Sequence, residues 1–481
     1  MVGNVNHLKV GFLFTGIAKF SNVIINLIVN AILSRILTPE EYGVVSIVQV
    51  FIIFFQLFVE AGMGPAIIQN KKLTDKDNSI LFNFSLIVAF SLAILYGLFG
   101  YILSYVYSNR IYISLSWLQT FSIFFNGLNV VPTAILNKNK KFKEVNFNFI
   151  IANIFSGLGG VLSALAGLGV YSLIIASIIL TLISFILNFR KSSIRLVKEW
   201  DRRVLQSILG FSINQFSFNF INYFSRNADN ILIGKFIGPA ALGNYNKAYQ
   251  LLMMPNNILL GIINPVLQPV LSDYQNDVLL IRETYFKILR LLALVGVSIS
   301  VFLSIYSKEI ILFLFGNQWG AAVFPFQVLA TTVWVQMTLS STGAIFQARN
   351  KTKELLTTGI YSAIILVSSI IVGIIIGNIN SVAISLTIGF YINYFMNFSR
   401  VMKLTLNSNI FEMLKEFKNP FIIGLIELVV MKIVYQMVSG INSIFVILLI
   451  SGLIFGVVFL VFSYLLGEID LLKSNFGNLE E

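Results

Sequence analysis

The chain has 481 residues, 57% hydrophobic and 11% charged, with a net charge of +12 and a mean hydropathy of +0.85. So much apolar surface excludes a soluble globular domain and indicates an integral membrane protein built of helices. Cysteine is absent and the single histidine, His7, precedes the first span, so disulfides, thiolate metal sites and an intramembrane histidine relay are excluded.

A span needs about 20 mainly apolar residues. Fourteen such segments follow one another. Six lie near 10–34, 43–63, 80–106, 112–135, 146–167 and 170–189. Six more lie near 207–234, 239–269, 284–305, 323–347, 355–377 and 380–401, and two near 419–437 and 443–466. The first is longer than the apolar region of a signal peptide and contains Lys19, so it reads as a span and not as a cleaved leader. Residues 307–316 read as a short interfacial or re-entrant helix. Pro255, inside span eight, is a place where that helix is expected to bend.

Two spans carry polar stripes. In span seven Gln215, Asn219, Asn222, Arg226 and Asp229 recur at steps of four, three, four and three, which puts them on one helical face. In span one Thr15, Lys19, Asn22 and Asn26 precede Gln215, Asn219, Asn222 and Arg226 by 200 positions. The same offset relates Arg35, Pro39, Gly43 and Pro65 to Lys235, Pro239, Gly243 and Pro265. This is an internal repeat in which a polar-faced helix opens each half. Gln49 and Gln56 in span two match Tyr249 and Asn256 in span eight. Asparagine and glutamine within a bundle often do no more than hydrogen-bond neighbouring helices. Intramembrane charge is costly and usually marks a pathway, so the combined stripes are expected to line a shared hydrated cavity. Lys247 belongs with them, or else snorkels to the interface.

Alternate loops are rich in lysine and arginine, notably Lys138–Lys143, Arg190–Arg203 and Arg349–Lys353. That side is expected to be cytoplasmic, together with both termini. The positive charge therefore belongs to a membrane face and does not indicate nucleic acid. The basic stretch 190–206 separates an N-terminal lobe, 1–189, from a C-terminal lobe, 207–404. Residues 405–481 carry two appended spans and a tail. Both lobes contain an even number of spans and insert the same way up, as parallel repeats about the membrane normal. The expected fold is thus all-α and membrane-integral, with two six-helix bundles and two further helices.

No glycine-rich phosphate loop accompanies Gly234 and Lys235, so ATP-driven transport by this chain alone is not expected. Acids within or near spans are few: Glu60, Asp229, Glu309 and Glu427. No paired-carboxylate constellation emerges, and Glu427 is expected to pair with Lys432.

Arg35 to Gly43, RILTPEEYG, resembles the signature that follows the first span of bacterial polysaccharide flippases. Glu60 to Gln69, EAGMGPAIIQ, is similar to the end of their second span. Arg226 to Asp229, then ILIGKFIG and LGNYNKAY, is similar to their central segment. In order and spacing these resemble the Wzx-type polysaccharide transporters of the multidrug/oligosaccharidyl-lipid/polysaccharide exporter superfamily, over roughly the first 400 residues.

The resemblance implies a two-lobed, non-enzymatic exporter in the bacterial plasma membrane. Its cargo would be an undecaprenyl-diphosphate-linked oligosaccharide for capsule, exopolysaccharide or O-antigen synthesis. Lys19 and Arg226 then suit the anionic head group. Asp229 either tunes Arg226 or binds a coupling cation, sodium or proton. Bilayer lipids and polysaccharide-assembly proteins are the implied partners. A multidrug or lipid II exporter of the same superfamily is the alternative within transport. A membrane polysaccharide polymerase or ligase is the alternative outside it, although no outward loop is large enough for a catalytic domain.

Overall fold

The computed structural model describes residues 21–60, 63–194, 201, 203–204, 223, 227–275 and 277–468, with backbone only at 259–270 and 272–273. The described residues are helical and contain no strand. They fall into two compact units, Met1–Gly243 and Asn244–Glu481.

The first unit holds α1 (Ser21–Ile36), α2 (Pro39–Glu60), α3 (Met63–Gln69), α4 (Asp75–Tyr107), α5 (Ile111–Lys138), α6 (Phe142–Leu165), α7 (Tyr171–Lys191) and α8 (227–236). The first turn of α9 (Pro239–Asp273) also belongs to it. The second unit continues with α10 (Val278–Ile305), α11 (Ser307–Phe315), a 3₁₀ segment (Asn317–Ala322), α12 (Val323–Ala330), α13 (Val333–Leu339) and α14 (Thr342–Ala348). It ends with α15 (Thr352–Ile376), α16 (Ile379–Thr405), α17 (Ile410–Glu416), α18 (Lys418–Val438) and α19 (Ile444–Leu465). Among the described residues nine helices are long and apolar enough to cross a membrane, and one bent pair makes a tenth. Apart from spans one and seven, most of whose residues lie outside the described ones, and span ten, the helices coincide with the expected spans to within a few residues, because length and apolar content are local properties.

Local chemistry explains the RILTPEEYG motif. The Thr38 N–H and hydroxyl donate to the Glu41 carboxylate at 2.8 and 3.0 Å, and the Glu41 N–H donates to the Thr38 hydroxyl at 3.3 Å. This is a capping box around Pro39, the first residue of α2, where proline's missing N–H does no harm. Thr74 and Asp77 start α4 in the same way. Gly43 has a tertiary reason: a Cβ there would overlap the Pro239 carbonyl, and a Cβ on Gly243 would overlap that of Pro39. Two proline–glycine turns, 200 residues apart, thus lie reciprocally against each other within the first unit. A repeat facing its own copy produces this arrangement.

Small residues also let α4 approach α5, where Gly97 meets Trp117 and Gly100 meets Ser116. The buried Tyr96 hydroxyl donates to the Val48 carbonyl at 3.1 Å and fixes α4 on α2. In the second unit α18 packs on α10 and on α19, and α19 also meets α11.

Span ten departs from expectation. Instead of one helix over 323–347 there are three short ones, and the chain bends by 53° between 317–330 and 333–348. Hydroxyls cause the break by competing for backbone groups. Thr331 and Thr332 donate back to the Val328 and Leu329 carbonyls, both at 2.7 Å, and the Trp334 N–H turns to the Ser300 hydroxyl at 3.2 Å. By contrast α9 runs through Pro255 as one helix, so that proline does not divide its span.

Candidate functional site

A cavity of about 310 Å³ opens in the first unit between α2, α3 and α5. Its polar wall is Glu60 from the end of α2 and Asn126, Asn129, Thr133 and Asn137 from α5. Steps of three, four and four place the α5 residues on one face. Leu57, Gly64, Pro65, Ile68, Val130 and Ala134 supply the apolar wall. Gly64 and Pro65 belong to the first turn of α3, and Lys138 closes nearby by donating to the Asn70 carbonyl at 2.7 Å.

A buried asparagine network supports this wall. Asn188 of α7 donates to the Asn129 side-chain oxygen at 3.0 Å and to the Thr133 hydroxyl at 3.1 Å. Its own carbonyl accepts from the Asn148 amide of α6 at 2.8 Å. Thr133 also donates to Asn129 at 3.1 Å. Three helices are thereby held in register, and Asn126 and Asn137 stay half-buried on the cavity face.

Amides that both donate and accept, with one carboxylate, suit the hydroxyls of a sugar. Among the described residues no lysine or arginine lines the cavity. Sequence reasoning missed Asn126, Asn129, Thr133 and Asn137, although their spacing is the same stripe signal that spans one and seven display.

The residues expected to bind substrate are placed unevenly. Lys19, Gln215, Asn219, Asn222 and Arg226 lie outside the described residues. Asn22 is half-buried and accepts from the Asn153 amide of α6 at 3.0 Å. Asn26 is exposed one turn later. Gln49 is exposed and Gln56 half-buried on α2, two turns apart, and Gln56 lies one turn before Glu60 on the same face. Asp229 is buried and accepts from the Asn230 N–H at 2.8 Å.

Lys247 and Tyr249 are in the second unit. Lys247 does not snorkel. It is 2% exposed, with its ammonium 4.8 Å from the Phe315 ring centroid and 5.3 Å from that of Trp319. Aromatic faces attract a desolvated cation, so the two rings favour this placement. Tyr249 stacks on Tyr245 with centroids 5.6 Å apart.

A family model described as polysaccharide biosynthesis protein matches residues 32–324, more than half of the chain. The teichuronic acid biosynthesis protein TuaB of Bacillus subtilis (strain 168) is 25% identical over 349 residues, covering 71% of each chain. A membrane protein in the cps region of Klebsiella pneumoniae is 24% identical over 354 residues, covering 70% of each. Among solved structures, the lipid II flippase MurJ in an inward closed conformation is similar with a TM-score of 0.73. That likeness covers 96% of this chain and 99% of the other at 17% identity, and it shows the fold.

Proposed function

Because the chain belongs to the polysaccharide biosynthesis protein family, we propose that it is a flippase for undecaprenyl-diphosphate-linked oligosaccharide repeat units. It moves them across the bacterial plasma membrane for capsule, exopolysaccharide or O-antigen assembly. The observation that carries the sugar part is the amide-rich cavity of Glu60, Asn126, Asn129, Thr133 and Asn137. Among the described residues no cation lines the cavity, and Lys19 and Arg226 are the proposed contacts of the diphosphate. Asn22, Asn26, Gln49, Gln56, Gln215, Asn219, Asn222, Asp229, Lys247 and Tyr249 complete the proposed path.

Transport proceeds by alternating access of the lobes 1–189 and 207–404, with the lysine- and arginine-rich loops and both termini in the cytoplasm. The lipid tail stays in the bilayer while the polar part crosses, which requires a lateral opening. The fold likeness to the lipid II flippase favours lipid II as the second reading, since the carrier chemistry is shared.

Deleting the protein in its own host and analysing lipid-linked sugars separates the readings. Accumulation of a complete polysaccharide repeat unit on the inner leaflet is the expected result. Accumulation of lipid II selects the second reading, and unchanged lipid-linked pools refute both. For the head group, Arg226→Ala, Asp229→Ala and the double variant are compared for abundance and surface polysaccharide. The double variant is expected to fold and not export. Normal export by a well-folded Arg226→Ala protein removes Arg226 from the site, and recovery of folding and export together in the double variant makes the pair structural.

A further inference from the structure

Glu427 is the tenth residue of α18 and is fully buried. Among the described residues neither of its carboxyl oxygens has a hydrogen-bond partner. Lys432, its expected partner, is exposed, and five residues along a helix turn it about 140° away. The helix packed against Glu427 is α10, and contact is close: a Cβ on Gly424, one turn earlier, would overlap Val297. The next residue, Ser298, is buried and faces the Glu427 carboxyl with its hydroxyl, without completing a hydrogen bond.

Among the described residues no counter-charge is at hand. On α10, Arg290 binds Glu468 at 2.6 Å and Glu416 of α17 at 3.7 Å, and Arg282 reaches Glu412 of α17 at 3.8 Å. Arg290 precedes Ser298 by eight residues, about 12 Å along the helix. The remaining α17 charge, Lys415, and the α10 charges Glu283 and Lys287 lie towards that same end. The only titratable side chain of α19 is Tyr464, near its far terminus.

Towards the other end of α18 lie a cavity and a set of tyrosine and serine hydroxyls. Tyr435 lies eight residues, about 12 Å, beyond Glu427. Its hydroxyl donates to Glu309 at 3.1 Å on the wall of a cavity of about 340 Å³ that Lys308 and Ser439 also line. Glu309 is itself buried, and its second oxygen has no partner among the described residues. Between cavity and carboxyl, Tyr306 crosses the Tyr435 ring edge-on at 5.6 Å and donates to the carbonyl of Met431, one turn from Glu427. Ser451 of α19 turns a buried hydroxyl to Tyr306.

A bare carboxylate in this position is strongly disfavoured, whereas a proton neutralises it without any added ligand. A sodium ion needs a shell of about six oxygens, and the two carboxyl oxygens with the Ser298 hydroxyl fall short of one. We propose that Glu427 is a proton-binding site, loaded in this conformation and reached from the Glu309–Tyr435 cavity, and, resting on the export reading above, that its proton drives flipping. Release of the proton favours separation of α18 from α10, because the charge then seeks water.

The test uses the purified full-length protein in lipid nanodiscs. Infrared spectra across a pH series report the carbonyl stretch of a protonated carboxylic acid. The wild type is expected to keep such a band at neutral pH, and Glu427→Gln to lack it. Ser298→Ala keeps the carboxyl and is expected to shift the band, so the assignment stands even if Glu427→Gln folds poorly. Superposable spectra for all three proteins overturn the site, as does a band that sodium removes at fixed pH. In cells, Glu427→Gln is expected to accumulate the lipid-linked sugar and to lose its response to a proton ionophore. A Glu427-dependent band with unchanged sugar pools on gene deletion supports the proton site and removes only the export reading. Normal, ionophore-sensitive export by Glu427→Gln overturns the coupling role and leaves the export reading intact.

Discussion

Asn188→Ala is the most direct perturbation of the cavity wall. Asn188 is 3% exposed and makes three hydrogen bonds at 2.8, 3.0 and 3.1 Å to residues on α5 and α6. In a membrane protein such interhelical bonds average about 0.6 kcal/mol each, with a maximum near 1.7. The three therefore contribute about 2 kcal/mol. Truncation also strands the Asn148 amide, which is 1% exposed, and an orphaned buried donor costs at least about 1 kcal/mol. The expected loss is about 3 kcal/mol, a roughly 150-fold shift in the unfolding equilibrium. Reversible unfolding of the purified protein in mixed micelles, followed by circular dichroism, measures it. Because Asn148 and Asn188 share one bond, the double alanine variant should be more stable than the sum of the singles by about 0.6–1.7 kcal/mol. An Asn188→Ala protein within about 0.5 kcal/mol of wild type, the range of neutral surface changes, would falsify the view that this network holds the wall.

Gly43→Ala and Gly243→Ala should each lose about 1–3 kcal/mol in the same assay, since their Cβ atoms meet backbone that cannot rotate aside. Gly64→Ala is the control: nothing lies within 4 Å of its Cβ, so stability should hold, and a loss matching the other two would undo the steric account. Arg290→Ala should strand the Glu468 carboxylate, whose side chain is 2% exposed. Breaking a buried pair costs about 3–5 kcal/mol, and the partial exposure of Arg290 places this loss at the lower end. Arg290→Ala with Glu468→Gln should recover part of it, and no recovery would mean that the guanidinium packs without pairing.

What the chain reveals on its own follows the range of the forces involved. A helix is decided by hydrogen bonds four residues apart and by apolar content over one span, so α4, α5 and α16 were legible almost to their ends. The 200-residue register was legible too, because a repeat shows in spacing alone. Capping at Thr38 and Pro39 is likewise local chemistry. Span ten was not legible as a broken helix, because Trp334 leaves its own ladder for Ser300, thirty-four residues away in sequence. Lys247 could be read either way from the sequence, and tertiary packing, including the rings of Phe315 and Trp319 from a later segment, decided that it is buried instead of snorkelling. The same holds for Glu427, whose isolation depends on which face of α18 meets α10. The cavity belongs to α2, α3 and α5 together. The stripe on α5 was written in the sequence, but a stripe becomes a site only when packing gives it an opposite wall, and packing is a long-range outcome that spacing along one helix does not contain.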